Sequence, residues 1–347
     1  MSKILPSYLT ITNDLALELD STIQTINPDK IALLMDENTK KYCLPKLGIE
    51  YDKCIEIKSG EAHKTLDTCD QIWSELTELN FSRKSLLINL GGGVIGDMGG
   101  FVAATFKRGI RFVNLPTTLL SQVDASIGGK LGVDFGSLKN HIGVFKNPNK
   151  VIIYPGFLET LSGREIKSGF AEVIKHGLIY DLDYWEVIKE RPAEDLDWAS
   201  VIKRSVEIKN EIVQQDPFEG GLRKILNFGH TLGHAIESHL LSTPDHLLHG
   251  EAIALGMILE THLSLQLGMI SNKDFVEVSS FLIKNYQPPL SPEPAFLEPF
   301  LAQDKKNENN RIKFSLLERK GKCTYDVEVS EDMIISSINA YNQMKRS

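Results

Sequence analysis

Apolar residues recur along this chain in two different rhythms. Up to about residue 155, short β-rich runs alternate with helical patterns. Lys30-Ile-Ala-Leu-Leu-Met35 reads as a buried strand ending at Asp36, and Lys53-Cys-Ile-Glu-Ile-Lys58 as a half-exposed one. Ser85-Leu-Leu-Ile-Asn-Leu90 is a third strand that runs into glycines, and Ile110-Arg-Phe-Val-Asn-Leu115 a fourth stopped by Pro116. Leu66 to Leu79 has helical spacing. Beyond Pro155 the segments 158–184, 197–214, 222–241, 250–267 and 272–285 all carry apolar residues at the helical period, with few β runs. The pattern predicts an α/β protein with two domains. A Rossmann-like parallel-sheet domain spans 1–156, and a mostly α-helical domain spans 157–347.

The glycines after the third strand add chemistry to this frame. In Leu90-Gly-Gly-Gly-Val-Ile-Gly-Asp-Met-Gly-Gly100, Gly91, Gly93 and Gly96 satisfy G-x-G-x-x-G between a strand and an apolar helix. Such glycines allow a tight turn, close backbone approach to phosphate and a helix N-terminus for a pyrophosphate. The loop follows the third strand instead of the first, so a plain glycine turn competes with a dinucleotide site. Asp36, at the end of an early strand, can bind ribose hydroxyls, while Asp97 also reads as a helix cap.

Histidines mark the second domain. His230 and His234, four residues apart on an apolar helix pattern, share one helix face, and His249 follows at a glycine break. Imidazole is the commonest metal ligand, and Glu172 in Phe170-Ala-Glu-Val-Ile-Lys-His176 offers a carboxylate. Two histidines and one carboxylate with an open position form a usual catalytic zinc set. Lys130, Asp124, Arg108, Lys139 and Asn140 lie among glycines and small residues, which suits a pocket for a phosphorylated, carboxylated or polyhydroxylated ligand.

Bulk composition narrows the partners. The net charge is −8, from 46 acidic against 38 basic residues, with no long basic block, which argues against a nucleic-acid surface. No apolar run approaches the roughly 18 residues of a membrane helix. The four cysteines form no C-x-x-C pair, and with no signal peptide they suit a cytoplasmic protein.

Read together, the motifs GGGVIGD at 91–97, PTTLLSQVDASIGGK at 116–130, KN at 139–140, AEVIKH at 171–176, EGGLRKILNFGHTLGHAIE at 219–237, HGEAIALGM at 249–257 and DKKN at 304–307 make a dense, ordered match. They resemble the 3-dehydroquinate synthases of the sugar phosphate cyclase family. The resemblance implies a homodimeric lyase that uses NAD catalytically with one divalent metal, zinc or cobalt, on a seven-carbon keto-acid phosphate. It implies Glu172, His230 and His249 as metal ligands. His234 is instead implied near the substrate for proton transfer, although helical spacing alone would make it a co-ligand of His230. Lys175 accompanies Glu172 on one helix face. Lys209, Arg223 and Asn227 are implied to hold the substrate carboxylate and hydroxyls, with Asp124 on a hydroxyl. Lys130, Asn140 and Lys305 are implied at the phosphate, with Arg108 reaching it from a partner subunit. For NAD the implied positions are Asp36, Glu61, Lys64, Gly92, Gly93, Asp97, Thr117, Thr118, Lys130, Lys139, Phe157 and Thr160. Arg223 precedes His230 by seven residues, or two helical turns, so one continuous helix would aim both to the same side. A sibling cyclase acting on a neutral sugar phosphate, a metal-dependent polyol dehydrogenase and a non-catalytic binding module are the competing readings.

Overall fold

The structure is a computed structural model that describes residues 5–136, 138–241, 243–244, 246–302 and 312–346. The chain divides into two compact units, one of Met1–Ile166 with Trp198–Asn210, the other of Lys167–Asp197 with Glu211–Ser347.

The first unit is built on β1 (Leu9–Ile11), β2 (Ile31–Asp36), β3 (Lys53–Ile57), β4 (Leu86–Gly91), β5 (Arg111–Pro116) and β8 (Lys150–Ile153). They form one sheet in the order β1-β8-β5-β4-β2-β3, every neighbouring pair parallel. Around it stand α1 (Leu15–Ile26), α2 (Glu37–Tyr42), α3 (Leu66–Glu78) and α4 (Gly93–Thr105), with a separate antiparallel hairpin of β6 (Lys130–Phe135) and β7 (Leu138–Phe145). Side chains alternate across a strand, and here both faces are covered. Leu34, Leu87 and Phe112 pack with α3 and α4 on one side, while Leu33, Leu86, Ile88 and Val113 pack with Leu15 and Leu19 of α1 on the other. That double burial explains why these strands read as unbroken apolar runs.

The second unit contains α6 (Leu182–Lys189), α8 (His230–Leu240), α9 (His249–Gln266), α10 (Asn272–Tyr286), α11 (Pro294–Ala302) and α12 (Glu331–Arg346). It also holds most of α5 (Gly163–Tyr180) and the end of α7 (Trp198–Gln215). An antiparallel hairpin of β9 (Ile312–Arg319) and β10 (Lys322–Val329) interrupts the helices.

Three expectations need correction. A single cut at 156/157 differs from the observed division, which falls ten residues later and returns 198–210 to the first unit. Lys209, in the returned segment, binds within the first unit: its Nζ donates to the Asp124 carbonyl at 2.7 Å and pairs with the Asp124 carboxylate at 2.8 Å. The segment 222–241 is not one helix, because Gly229 at φ 81° breaks a short 3-10 turn at Leu222–Asn227 from α8. Arg223 therefore does not share a helix with His230. Asp97 lies inside α4, whose N-cap is Gly92, and so is not a cap.

Candidate active site

The first unit gathers several of the expected cofactor positions near the C-terminal ends of its parallel strands, where open α/β sheets bind ligands. A narrow cleft is lined there by Gly92, Gly93, Asp97 and Lys130 together with Asn89 and Asn114. Gly99 lets α4 lie flush on the sheet, since a Cβ there would overlap the Asn89 side chain. A Cβ on Gly92 would stand 3.1 Å from the Thr118 methyl carbon, and the Thr117 amide donates to the Gly91 carbonyl at 3.0 Å. Gly92, Thr117 and Thr118 are thus one small patch of backbone and hydroxyls.

Lys64, almost wholly buried, is the hub of this region. Its ammonium donates to Asp97 at 2.7 Å and to the Asn140 side-chain oxygen at 2.6 Å. Burial lifts the Asp97 carboxyl above the usual carboxylate range, against the opposing pull of Lys64. Asn140 adopts a left-handed φ of 50°, and its amide donates to Asp134 at 2.7 Å. The remaining cofactor candidates are dispersed. Glu61 is half-buried in a 3-10 turn at Glu61–His63, Lys139 half-buried on β7, and Thr160 exposed. Asp36 caps α2, accepting from the Thr39 amide at 2.8 Å. Phe157 is buried in the core, edge-on to Tyr154 at 5.2 Å between ring centroids. Arg108 is exposed, in a left-handed conformation at φ 67°.

In the second unit, glycines set the spacing of the histidine helices. A Cβ on Gly256 would overlap the Gly229 carbonyl, and one on Gly250 the Ser168 carbonyl, so α9 lies in backbone contact with α8 and with α5. Glu260 of α9, fully buried, accepts from the Gly229 amide at 2.6 Å and the Leu232 amide at 3.1 Å. It thereby satisfies two backbone donors at the start of α8, whose N-cap, Gly229, has no side chain to do so.

This scaffold converges on Glu172, wholly buried on α5. Its Oε1 faces His230 Nε2 at 3.5 Å and His249 Nε2 at 3.7 Å, while Lys175 Nζ pairs with Oε2. The other ring nitrogens face acceptors: His230 Nδ1 the Phe228 carbonyl at 3.1 Å, His249 Nδ1 the Glu237 carboxylate at 3.3 Å. Both Nε2 atoms thus face one carboxylate oxygen, a donor set that fits a divalent metal, while the three histidines His230, His234 and His249 are a group whose ligand atoms all lie within 4.8 Å of one another. His234, exposed, stands with its ring 5.0 Å from that of His230 and 5.5 Å from that of His249. It is near enough to join the other two histidines about an ion. Desolvation and the Lys175 charge push His230 well below its ordinary pKa, keeping it neutral and ligand-ready. At His249 desolvation is outweighed by Glu172 and Glu237, which hold the metal-free imidazole up to about 9.

Arg223 is buried in the 3-10 turn, with one guanidinium nitrogen on the Pro217 carbonyl at 2.7 Å. Asn227 donates to Glu219 at 2.8 Å. Asp216 accepts the amides of Gly220, Gly221 and Arg223 and so holds the turn that carries them. Lys305 lies outside the described residues. Sequence reasoning passed over Asp216, Glu237 and Glu260. The Asp216-Pro-Phe-Glu-Gly-Gly221 run is a turn signal that flags the first, and nothing local flags the others.

Comparison with known proteins places this arrangement. Residues 54–168 match the family model 3-dehydroquinate synthase N-terminal, and residues 169–307 match 3-dehydroquinate synthase C-terminal. The 3-dehydroquinate synthase of Parabacteroides distasonis is 39% identical over 345 residues, covering 96% of this chain and 98% of that one. The chain belongs to the 3-dehydroquinate synthase family. Two solved structures share the fold of this family member over nearly its whole length. One is 2-deoxy-scyllo-inosose synthase with carbaglucose-6-phosphate, NAD+ and Co2+, at a TM-score of 0.84 and 24% identity over 96% of each chain. The other is 2-epi-5-epi-valiolone synthase from Streptomyces hygroscopicus subsp. jinggangensis with NAD+ and Zn2+, at 0.86 and 23% over 98% of each. Among the described residues no helix is long and apolar enough to cross a membrane.

Proposed function

We propose that this chain is a cytoplasmic, homodimeric 3-dehydroquinate synthase, converting 3-deoxy-D-arabino-heptulosonate 7-phosphate to 3-dehydroquinate and phosphate. The convergence of Glu172, His230 and His249 in a member of that family is the observation that carries the reading. When bound, NAD would take up and return a hydride at a substrate carbinol, and a metal held by these three side chains would polarise the hydroxyl there.

The chain's own residues do the rest. Lys175, paired with Glu172, holds that carboxylate in place. His234, exposed beside the cluster, moves the proton of the hydroxyl being oxidised. Arg223, Asn227 and Lys209 hold the substrate carboxylate and hydroxyls, because a guanidinium fork matches a carboxylate bidentately. Asp124 orients a hydroxyl. Lys130, Asn140 and Lys305, with Arg108 of the second subunit, hold the phosphate, the group that leaves with the electron pair of its carbon–oxygen bond. NAD would lie against the glycine cleft at Gly92, Gly93, Asp97 and Lys130, with Lys64, Thr117 and Thr118 beside them, and Asp36, Glu61, Lys139, Phe157 and Thr160 are the further positions that the family resemblance assigns to it.

Phosphate release from the heptulosonate phosphate, followed with and without NAD and with and without a chelator, tests the proposal. Release that needs both NAD and metal, with no net NADH, is expected. Accumulating NADH would point to a polyol dehydrogenase, and equal turnover of a neutral heptulose phosphate to a sibling cyclase.

A further inference from the structure

The two imidazoles that face Glu172 are anchored by chemically different groups. His230 Nδ1 meets a neutral backbone carbonyl, that of Phe228 at 3.1 Å, two residues back in its own chain segment. His249 Nδ1 meets the carboxylate of Glu237 at 3.3 Å. Glu237 is a buried acid on α8, its side chain 8% exposed. It lies two helical turns beyond His230 and one beyond His234. His249 is the first residue of α9, so Glu237 ties the helix of two histidines to the origin of the helix that carries the third.

We infer that Glu237 is a positioning residue for the metal, acting through His249. Its carboxylate takes the hydrogen bond of Nδ1–H, which leaves Nε2, 3.7 Å from Glu172, as the nitrogen that would be offered to a metal. A negatively charged acceptor also makes the imidazole a stronger donor than a carbonyl does, and carboxylate–histidine–metal triads gain affinity in this way. His230 keeps its tautomer through the backbone, which no substitution of a side chain removes. His249 depends on one acid. The inference rests on the reading of His249 as a ligand, and the test separates the two.

The measurement is the zinc dissociation constant by competition with a fluorescent chelator, on the full chain without NAD or substrate. Glu237→Ala is expected to weaken zinc about 10- to 100-fold. Glu237→Gln, which keeps an acceptor of the same shape without the charge, should weaken it by less. His230→Ala serves as a comparison and His249→Ala as the control. If His249→Ala weakens zinc while Glu237→Ala and Glu237→Gln bind it as tightly as the unmodified chain, the inference fails alone. If His249→Ala binds zinc normally, the ligand reading fails and takes the inference with it. Should Glu237→Ala not fold, Glu237→Gln decides, since unchanged zinc affinity there overturns the inference and weakened affinity with an unchanged metal-free melting temperature supports it.

Discussion

The Gly250 amide donates to Ser168 Oγ at 3.1 Å, with no room between the two backbones for a methyl group. Ser168 is one helical turn before Glu172, and Gly250 directly follows His249, so this single approach seats one candidate ligand beside another.

Gly250→Ala should therefore disturb the site from a position that carries no ligand atom. A Cβ meeting a fixed carbonyl cannot be absorbed by a rotamer change, and overpacking of this kind costs about 1–3 kcal/mol. Calorimetry should show a melting temperature lower by several degrees, with zinc restoring less of it than in the unmodified chain. An unchanged melting temperature and zinc affinity would show that the seam is looser than described.

His234→Ala separates ligation from proton transfer. If the metal is held by Glu172, His230 and His249, the variant keeps one zinc per chain by elemental analysis. It nevertheless loses on the order of a hundredfold or more in turnover, as removal of a general acid–base group does. His230→Ala should lose the metal instead. Loss of zinc from His234→Ala would place that histidine among the ligands.

Arg223→Lys retains the charge but not the fork. The buried guanidinium already spends one nitrogen on the Pro217 carbonyl, and a lysine cannot hold that carbonyl and a carboxylate together in the same geometry. We expect kcat/KM for the keto-acid phosphate to fall by about one to two decades, the equivalent of one charge-assisted hydrogen bond. Turnover of a neutral heptulose phosphate should barely change. Equal losses on both substrates would mean that Arg223 supports the turn and not the carboxylate.

Much of this architecture was legible in the sequence, and the exceptions share physical causes. The runs at 30–35, 85–90 and 110–115 were readable because both faces of their strands are buried. The hairpin of β6 and β7 was not, because Gly132, Asp134 and Gly136 break any alternation and the close pairing of Gly132 with Gly143 depends on missing side chains. Residues 222–241 misread as one helix because a 3-10 turn spaces Leu222, Ile225, Leu226 and Phe228 much as an α-helix would, and only φ at Gly229 reveals the break. Motifs named Glu172, His230 and His249, which the structure brings together, whereas Glu237 and Glu260 become visible only once α8 and α9 are laid side by side.

Acid should act through Glu277 on α10. Burial disfavours its charge, but hydrogen bonds from Lys189 at 2.7 Å, Lys320 at 2.6 Å and Trp185 at 3.2 Å outweigh that and hold its carboxyl down to about 2. A depressed folded-state value means stability that is fully present above the ordinary value of 4.5 and is lost as pH falls toward 2. For a pair network part open to solvent the contribution is on the order of 1 kcal/mol. The melting temperature of Glu277→Gln should trail that of the unmodified chain most above pH 5, and the gap should close on acidification. A gap that widens toward low pH would contradict the assignment.

The return of residues 198–210 to the first unit bears on how the protein is made. When the ribosome has finished Ile166, Asp124 still lacks the ammonium that Lys209 will bring, and the first unit is short of a helix. Forty-odd further residues must emerge, which takes a few seconds at about 5–20 residues per second. Before that ammonium is made, most of α5 and all of α6, segments of the other unit, have already been synthesised. Neither unit can therefore be cut out at one point of the gene, and their segments are synthesised in alternation.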